Sequence, residues 1–397
     1  MGTVLVSAGT LSRATKNVPQ VKLFHDGTRW WAFYKKSGTA DTLFYAYYTD
    51  PASPTESSVA LASTDIQDGG ATDIYYDSGT GVVIVTVYNS TTNNYRYMRG
   101  AISGTTITWS ANTNYVINVA KSATADYCPF TTVNASGSKV LYAIANNGGN
   151  IDVYTSTNAI GTTFADTAGN WSAIAGAISL GGHAKRIGLY NQNTAGHLVI
   201  FYGDQVATSS LLYRTFNGTA WSASSSLASG TALAEFQWGT CRVSGPDIKV
   251  LAVATASTWY FGSLNETTLT AKTAPAWPTS GLATNSGVAL VTDGTDVWAF
   301  VIRGDANLTL SYNKYTTAGD SWGGWTDIET TTSGTDVSAS FAVAASTVAV
   351  LYTKTNGSNY DVVVATVSLG AGETITPDKW FVKSEHREKA KPKPVAY

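Results

Sequence analysis

The sequence predicts an all-β fold assembled by repetition, and three observations carry that reading. The stretch Asp26-Gly27-Thr28-Arg29-Trp30-Trp31-Ala32-Phe33 returns as Asp293-Gly294-Thr295-Asp296-Val297-Trp298-Ala299-Phe300. Asp-Gly supplies the positive φ of a hairpin turn, and the aromatic and β-branched run behind it favours a buried strand. Charged residues are only 13% of the chain while Gly, Ser, Thr and aromatics abound, which suits short strands joined by many turns. At 397 residues the chain exceeds what one ordinary core serves, so the core must grow by adding units.

Taken in order, seven hairpin-centred segments lie near 18–65, 70–120, 125–178, 183–229, 235–282, 285–331 and 336–382. Each opens with an apolar strand and turns at small or polar residues, as at Asp26-Gly27, Ser78-Gly79, Ser136-Gly137, Ala195-Gly196, Gly245-Pro246-Asp247, Asp293-Gly294 and Ala345-Ser346. A stronger second strand follows, at Trp30–Tyr34, Val82–Val87, Val140–Ala143, Leu198–Tyr202, Lys249–Ala254, Val297–Ile302 and Thr347–Tyr352. Third strands are expected at Leu43–Tyr48, Tyr95–Arg99, Ile151–Thr155, Leu211–Phe216, Trp259–Leu264, Leu308–Tyr315 and Asp361–Val367. In six segments a tryptophan then opens a more polar fourth strand: Trp109, Trp171, Trp221, Trp277, Trp325 and Trp380. These rings are expected to pack between units, because large aromatics dominate core energetics.

Four antiparallel strands in each of seven units predict a seven-bladed β-propeller of four-stranded blades over residues 1–382, with Thr3–Ala8 as a closing strand on the last blade and 383–397 as a basic tail. A six-bladed ring with an extra sheet and two tandem sandwiches are the alternatives. The even repeat of about 50 residues disfavours the sandwiches.

Charge and cysteine content narrow the function classes. Residues 383–397 carry five basic and two acidic side chains, so the remainder holds 20 basic against 25 acidic and is net negative. A body of that sign argues against a phosphate-binding groove, so nucleic acid is not an expected partner. Cys128 and Cys241 fall in different, non-adjacent segments and are expected to be free thiols. No Cys or His spacing offers a metal site, no cofactor motif occurs, and no apolar run is long enough to insert in a bilayer. The start, Met1-Gly2-Thr3-Val4-Leu5-Val6, has no recognisable secretory pattern.

At the end of the third strand of the third segment, Ser156-Thr157-Asn158-Ala159-Ile160-Gly161-Thr162-Thr163-Phe164 resembles, with one extra residue, the Asp-box S-x-D-x-G-x-T-[W/F] of sialidase-like, BNR-repeat propellers. Gly319-Asp320-Ser321-Trp322 and Gly218-Thr219-Ala220-Trp221 are similar to its second half. The resemblance implies a propeller in which the motif closes a turn and wedges its aromatic ring between strands. Sialidases of that family hold the substrate carboxylate with three arginines, the first in an Arg-Ile-Pro-like start of the first blade. Here that place reads Asn17-Val18-Pro19, so the catalytic set does not carry over.

Polar groups gather where the innermost strands begin. Asp73, Asp126 and Glu235 are candidates for the acid and base of glycoside hydrolysis or for a polysaccharide lyase, since hydrolysis needs two carboxyl groups in different protonation states. Tyr127, His183, Arg186, Trp238 and Trp259 are candidate glycan-binding residues, the aromatics because they fall outside the packing phase. Lys389, Lys391, Lys393 and Tyr397 of the tail are candidate contacts to other protein subunits, with Lys391-Pro392-Lys393-Pro394 held extended. Together these features point to a non-catalytic structural or surface-recognition module, of the kind found in a phage or viral particle or outside the cell.

Overall fold

The computed structural model describes residues 2–10, 22–35, 43–49, 55–58, 73–89, 94–109, 116–120, 131–136, 139–146, 150–160, 171–179, 184–192, 196–204, 210–229, 238–244, 246–255, 257–283, 287–329, 334–338, 343–344, 347–356 and 359–368. Within them the strands pair into seven antiparallel sheets, met one after another along the chain. β1 (Gly2–Thr10) comes first in sequence and is used last. The first sheet runs β2 (Leu23–His25), β3 (Trp30–Lys35), β4 (Leu43–Tyr48) and β5 (Thr55–Ser58). The second holds β6 (Asp73–Asp77), β7 (Val82–Asn89) and β8 (Asn94–Ser103), with β9 (Thr106–Trp109) and β10 (Val116–Ala120) both on β8. The third holds β11 (Thr131–Ser136), β12 (Lys139–Asn146) and β13 (Asn150–Ala159), with β14 (Trp171–Ala173) and β15 (Ile178–Ser179) both on β13.

The fourth sheet is β16 (Ala184–Asn191), β17 (Leu198–Asp204), β18 (Ser210–Phe216) and β19 (Ser225–Ser229). The fifth is β20 (Trp238–Ser244), β21 (Asp247–Thr255), β22 (Thr258–Asn265) and β23 (Thr268–Ala271). In the sixth, β24 (Val288–Thr292), β25 (Val297–Ile302) and β26 (Leu310–Thr316) carry β27 (Ser321–Trp322) and β28 (Thr326–Glu329) on the outer side. The seventh has β29 (Gly334–Ser338) and β30 (Val343–Ala344) on the inner side of β31 (Thr347–Asn356), then β32 (Asn359–Ser368). Its outermost place is taken by β1, which pairs antiparallel with β32 from Gly2↔Thr366 to Thr10↔Tyr360.

Neighbouring sheets share apolar layers all the way round. Phe24, Trp31 and Phe33 meet Ile74, Tyr76 and Val83 between the first and second sheets, and β11 packs on β6 and β7 between the second and third. Ile151 and Val153 meet Ile187 and Ile200, Phe201 meets Trp238, and Val250 shares a layer with Leu290. Trp298 and Phe300 then meet Val348 and Val350, while Ala349 and Leu351 return to Leu23 and Ala32. The stack closes on itself, and the chain is a β-propeller of antiparallel sheets.

The period-2 geometry of a strand explains why the second strands are apolar throughout. Trp31 and Phe33 face the second sheet, while Trp30, Ala32 and Tyr34 face the seventh. Trp298 and Phe300 likewise face the sheet that follows, with Val297 and Ala299 turned the other way, so Trp31 and Trp298 hold equivalent positions. The turns before them match as well. Asp26 Oδ1 accepts the N–H groups of Thr28 and Arg29 at 2.7 and 2.6 Å, and Asp293 Oδ1 those of Thr295 and Asp296 at 2.7 Å each. Gly27 and Gly294 sit at φ 97° and 87°, which suits glycine.

The expected four strands per blade need one correction. Three sheets have four strands and four have five, the additional piece being half of a strand broken in two. The fourth strand breaks at Ala175, φ 54°, in the third sheet, and at Gly323-Gly324 in the sixth, where the Gly323 N–H turns to Lys314 O at 2.8 Å.

Around the axis the inner strands approach closely: a Cβ on Gly239 would lie 2.4 Å from Val288 O of the next sheet. Among the described residues no helix is long and apolar enough to cross a membrane. Cys241 is a buried free thiol, pushed up by burial, and Cys128 lies outside the described residues.

Candidate functional site

The best-defined surface feature lies at the seam between the fifth and sixth sheets, where residues 272–283 cross from one to the other. Pro275 and Pro278 flank Trp277 closely and fix φ on both sides. The crossing backbone is then pinned along its length. Lys272 N–H donates to Phe261 O at 2.9 Å, Trp322 Nε1 to Thr273 O at 2.8 Å and Trp325 Nε1 to Ala276 O at 2.7 Å. Further along, Gly281 N–H donates to Pro278 O at 2.8 Å and Ala283 N–H to Ile302 O at 2.9 Å. Trp277 is therefore held partly buried on a pinned segment, its ring 4.8 Å from Trp259, which in turn lies 6.2 Å from Trp325.

The same latch recurs at another seam. Trp221 of the fourth sheet directs Nε1 to Ile174 O of the third at 3.4 Å, and Arg214 reaches Ser179 O at 3.2 Å. Trp171 meets Tyr97 of the second sheet edge-on at 5.0 Å, and Trp109 meets Tyr45 of the first at 6.4 Å. Trp109, Trp171, Trp221 and Trp325 thus reach back onto the preceding sheet or the segment that leaves it, as expected of packing rings, and each is partly buried. Their exact places differ from expectation: Trp109 closes β9, Trp221 forms an isolated pair with Phe216, and Trp277 follows the outer strand. Trp380 lies outside the described residues.

Charges near the fifth–sixth seam are matched in pairs. Lys272 meets Asp320 at 3.4 Å, and the Tyr315 hydroxyl donates to Asp320 Oδ1 at 2.7 Å. The Tyr315 hydrogen bond, and after burial's opposing effect the Lys272 ammonium, hold the Asp320 carboxyl below its usual range. Burial first, then Asp320, pushes Tyr315 up. Lys249 is buried against Asp247 at 2.7 Å and Ser263 Oγ at 3.0 Å, and Lys314 pairs with Asp296 at 3.1 Å while lying 4.8 Å over the Trp298 ring.

Asp73 does not stand at an open mouth. It is 2% exposed, its Oδ1 accepts the Ile74 N–H at 3.0 Å, and it lies close enough to Tyr190 of the fourth sheet to raise that hydroxyl's pKa, after burial. Tyr190 bonds Thr240 of the fifth sheet, and Arg242 acts electrostatically on Tyr75 of the second, so side chains fill the axis here. Asp73 is thus enclosed among side chains of the inner strands. Trp238, 1% exposed, packs on Phe201, and Trp259, 7% exposed, lies beneath Trp277 and Trp325; both expected surface aromatics are interior rings. Arg186 falls at a register irregularity of β16 between Lys185↔Gly203 and Ile187↔Tyr202. Asp126, Tyr127, His183, Glu235, Lys389, Lys391, Lys393 and Tyr397 lie outside the described residues. Among those described, no three His, Cys, Asp or Glu side chains gather as a metal-binding set.

Trp277 packs on Trp259 as its phase predicts, and it also lies on the crossing segment between two sheets. The signal for that placement is Ala274-Pro275-Ala276-Trp277-Pro278, a ring bracketed by two prolines.

No family model and no curated protein matches the sequence. Solved structures do match in shape. An ulvan lyase of polysaccharide lyase family PL25 is 10% identical with a TM-score of 0.57, covering 93% of this chain and 96% of that one. AofleA from Arthrobotrys oligospora is 12% identical with a TM-score of 0.54, covering 84% and 90%. A fucose-specific lectin from Aleuria aurantia is 12% identical with a TM-score of 0.46, covering 76% and 96%. At these identities the likeness concerns the fold.

Proposed function

We propose that this chain is a non-catalytic carbohydrate-recognition propeller of seven blades that binds sugars on tryptophan faces held at its blade seams. The observation that carries the reading is the placement of Trp277, partly buried between two prolines on a segment fixed by the indole N–H groups of Trp322 and Trp325. A pyranose offers an apolar C–H face to an indole ring, and a ring already immobilised loses little freedom on binding. The pairing into seven sheets supports the blade count proposed, and several seams carry partly buried tryptophans, so weak single sites would add by multivalency on a glycan-coated surface. Saturable binding on a glycan array, confirmed by calorimetry and weakened in Trp277→Ala with the thermal unfolding midpoint retained, is the expected result. Absence of saturable binding to any oligosaccharide would overturn the reading.

Likeness in shape to a polysaccharide lyase, over nearly the whole of both chains, favours a second reading in which Asp126 and Glu235 act on a polymer. The enclosure of Asp73 weighs against it. Formation of new reducing or unsaturated ends from polysaccharide, lost in Glu235→Gln, would establish it. In either case the tail at 383–397, through Lys389, Lys391, Lys393 and Tyr397, is proposed as a contact to other subunits in a virion or at an extracellular surface. Truncation after Val382 is expected to lower the assembly size seen by light scattering.

A further inference from the structure

The turn Asn217-Gly218-Thr219-Ala220 is a third copy of the Asp-Gly-Thr turns, with an amide where they have a carboxylate. Asn217 Oδ1 accepts the N–H groups of Thr219 and Ala220 at 3.0 and 2.9 Å, Asn217 N–H donates to Ala220 O at 3.3 Å, and Gly218 sits at φ 89°. The sibling turns share that arrangement and differ in one respect. Gly27 N–H donates to His25 Nδ1 at 3.0 Å and Gly294 N–H to Thr292 Oγ1 at 3.1 Å, each two residues back. Two residues before Gly218 stands Phe216, which offers no acceptor, and the exposed Gly218 N–H has no partner among the described residues.

We propose that Asn217 is a built-in site of spontaneous deamidation, and that the turn is shaped to accept the product. The Gly218 amide nitrogen, after losing its proton to solvent base, attacks Cγ of Asn217. Two backbone N–H groups already directed at Oδ1 stabilise the charge that develops on that oxygen, as in an oxyanion hole. The bond from Cγ to the amide nitrogen Nδ2 breaks, ammonia leaves with the proton returned from solvent, and a cyclic imide remains. Water then opens the ring. Cleavage of the bond between Gly218 N and Cγ restores the main chain and leaves aspartate, whereas cleavage on the other side gives the isomerised linkage. The net change is Asn plus water to Asp plus ammonia. Asp26 and Asp293 show that aspartate fits this turn with the same pair of N–H donors. The new charge arises on the loop that carries Trp221, whose N–H latches the third sheet.

The test follows the intact protein at mildly alkaline pH beside a urea-denatured sample, with peptide mass spectrometry resolving Asn217. Loss of most of the Asn217 amide in the folded protein, over the interval in which the denatured sample loses its own, is expected. Asn217→Asp is expected to keep the wild-type unfolding midpoint, and Phe216→Thr, which supplies a hydroxyl as Thr292 does, to slow the folded-state reaction and leave the denatured rate unchanged. An Asn217 that stays intact in the folded protein while the denatured sample reacts would overturn the proposal, as would a destabilised Asn217→Asp.

Discussion

Trp31 couples a turn to a seam. Its Nε1 donates to Asp26 Oδ2 at 2.7 Å, while its ring is fully buried against Phe24 and Tyr47. Trp298 fills the same place in the sixth sheet, 2% exposed and covered by Lys314. Replacing either by Ala is expected to cost about 3–5 kcal/mol in chemical denaturation, as deletion of a core aromatic does. His25 adds a pH dependence. Burial lowers its pKa from 6.5, against the pull of Asp26, and its neutral ring accepts the Gly27 N–H through Nδ1. The unfolded protein therefore takes up a proton more readily than the folded one. Stability is expected to hold above pH 6.5 and to fall as pH drops below it, with His25→Asn flattening the slope of the unfolding midpoint against pH. At this scale the Asp-Gly-Thr turns were legible because their backbone needs particular residues. Whether Asp73 faces solvent or a filled axis was not, since a carboxylate at a strand start looks alike in both settings.

Strands were the most legible elements. β4 and β25 coincide with the expected Leu43–Tyr48 and Val297–Ile302, because two buried faces leave an unbroken apolar run bounded by turn residues. Outer strands were less so: they bury one side, alternate weakly, and break at Ala175 and at Gly323-Gly324. The candidate site depends on indole N–H bonds between sheets, which join residues 49 positions apart and leave no local trace in the sequence. Trp325→Phe keeps an aromatic side chain, though a smaller one, and removes one such bond. It is expected to lower stability by about 1 kcal/mol and to speed amide exchange in residues 273–281, as read by hydrogen–deuterium mass spectrometry.

At the scale of the whole molecule the repeat was legible, and so was the role of the first strand, since a leftover apolar segment ahead of the first hairpin has an obvious vacancy to fill in the last. Deleting residues 2–10 would bare the outer edge of β32. Size-exclusion chromatography with light scattering is expected to show oligomers of the shortened protein; a monomer with unchanged unfolding midpoint would contradict the closure. The pairing of Thr10 with Tyr360 also imposes a timetable on synthesis. β1 is made about 350 residues ahead of its partner β32, and at ribosomal rates it waits roughly 20–70 s for it. During that wait the backbone hydrogen-bonding groups of β1 are unclaimed, so the nascent polypeptide should be open to chaperones and to capture by other copies through that strand.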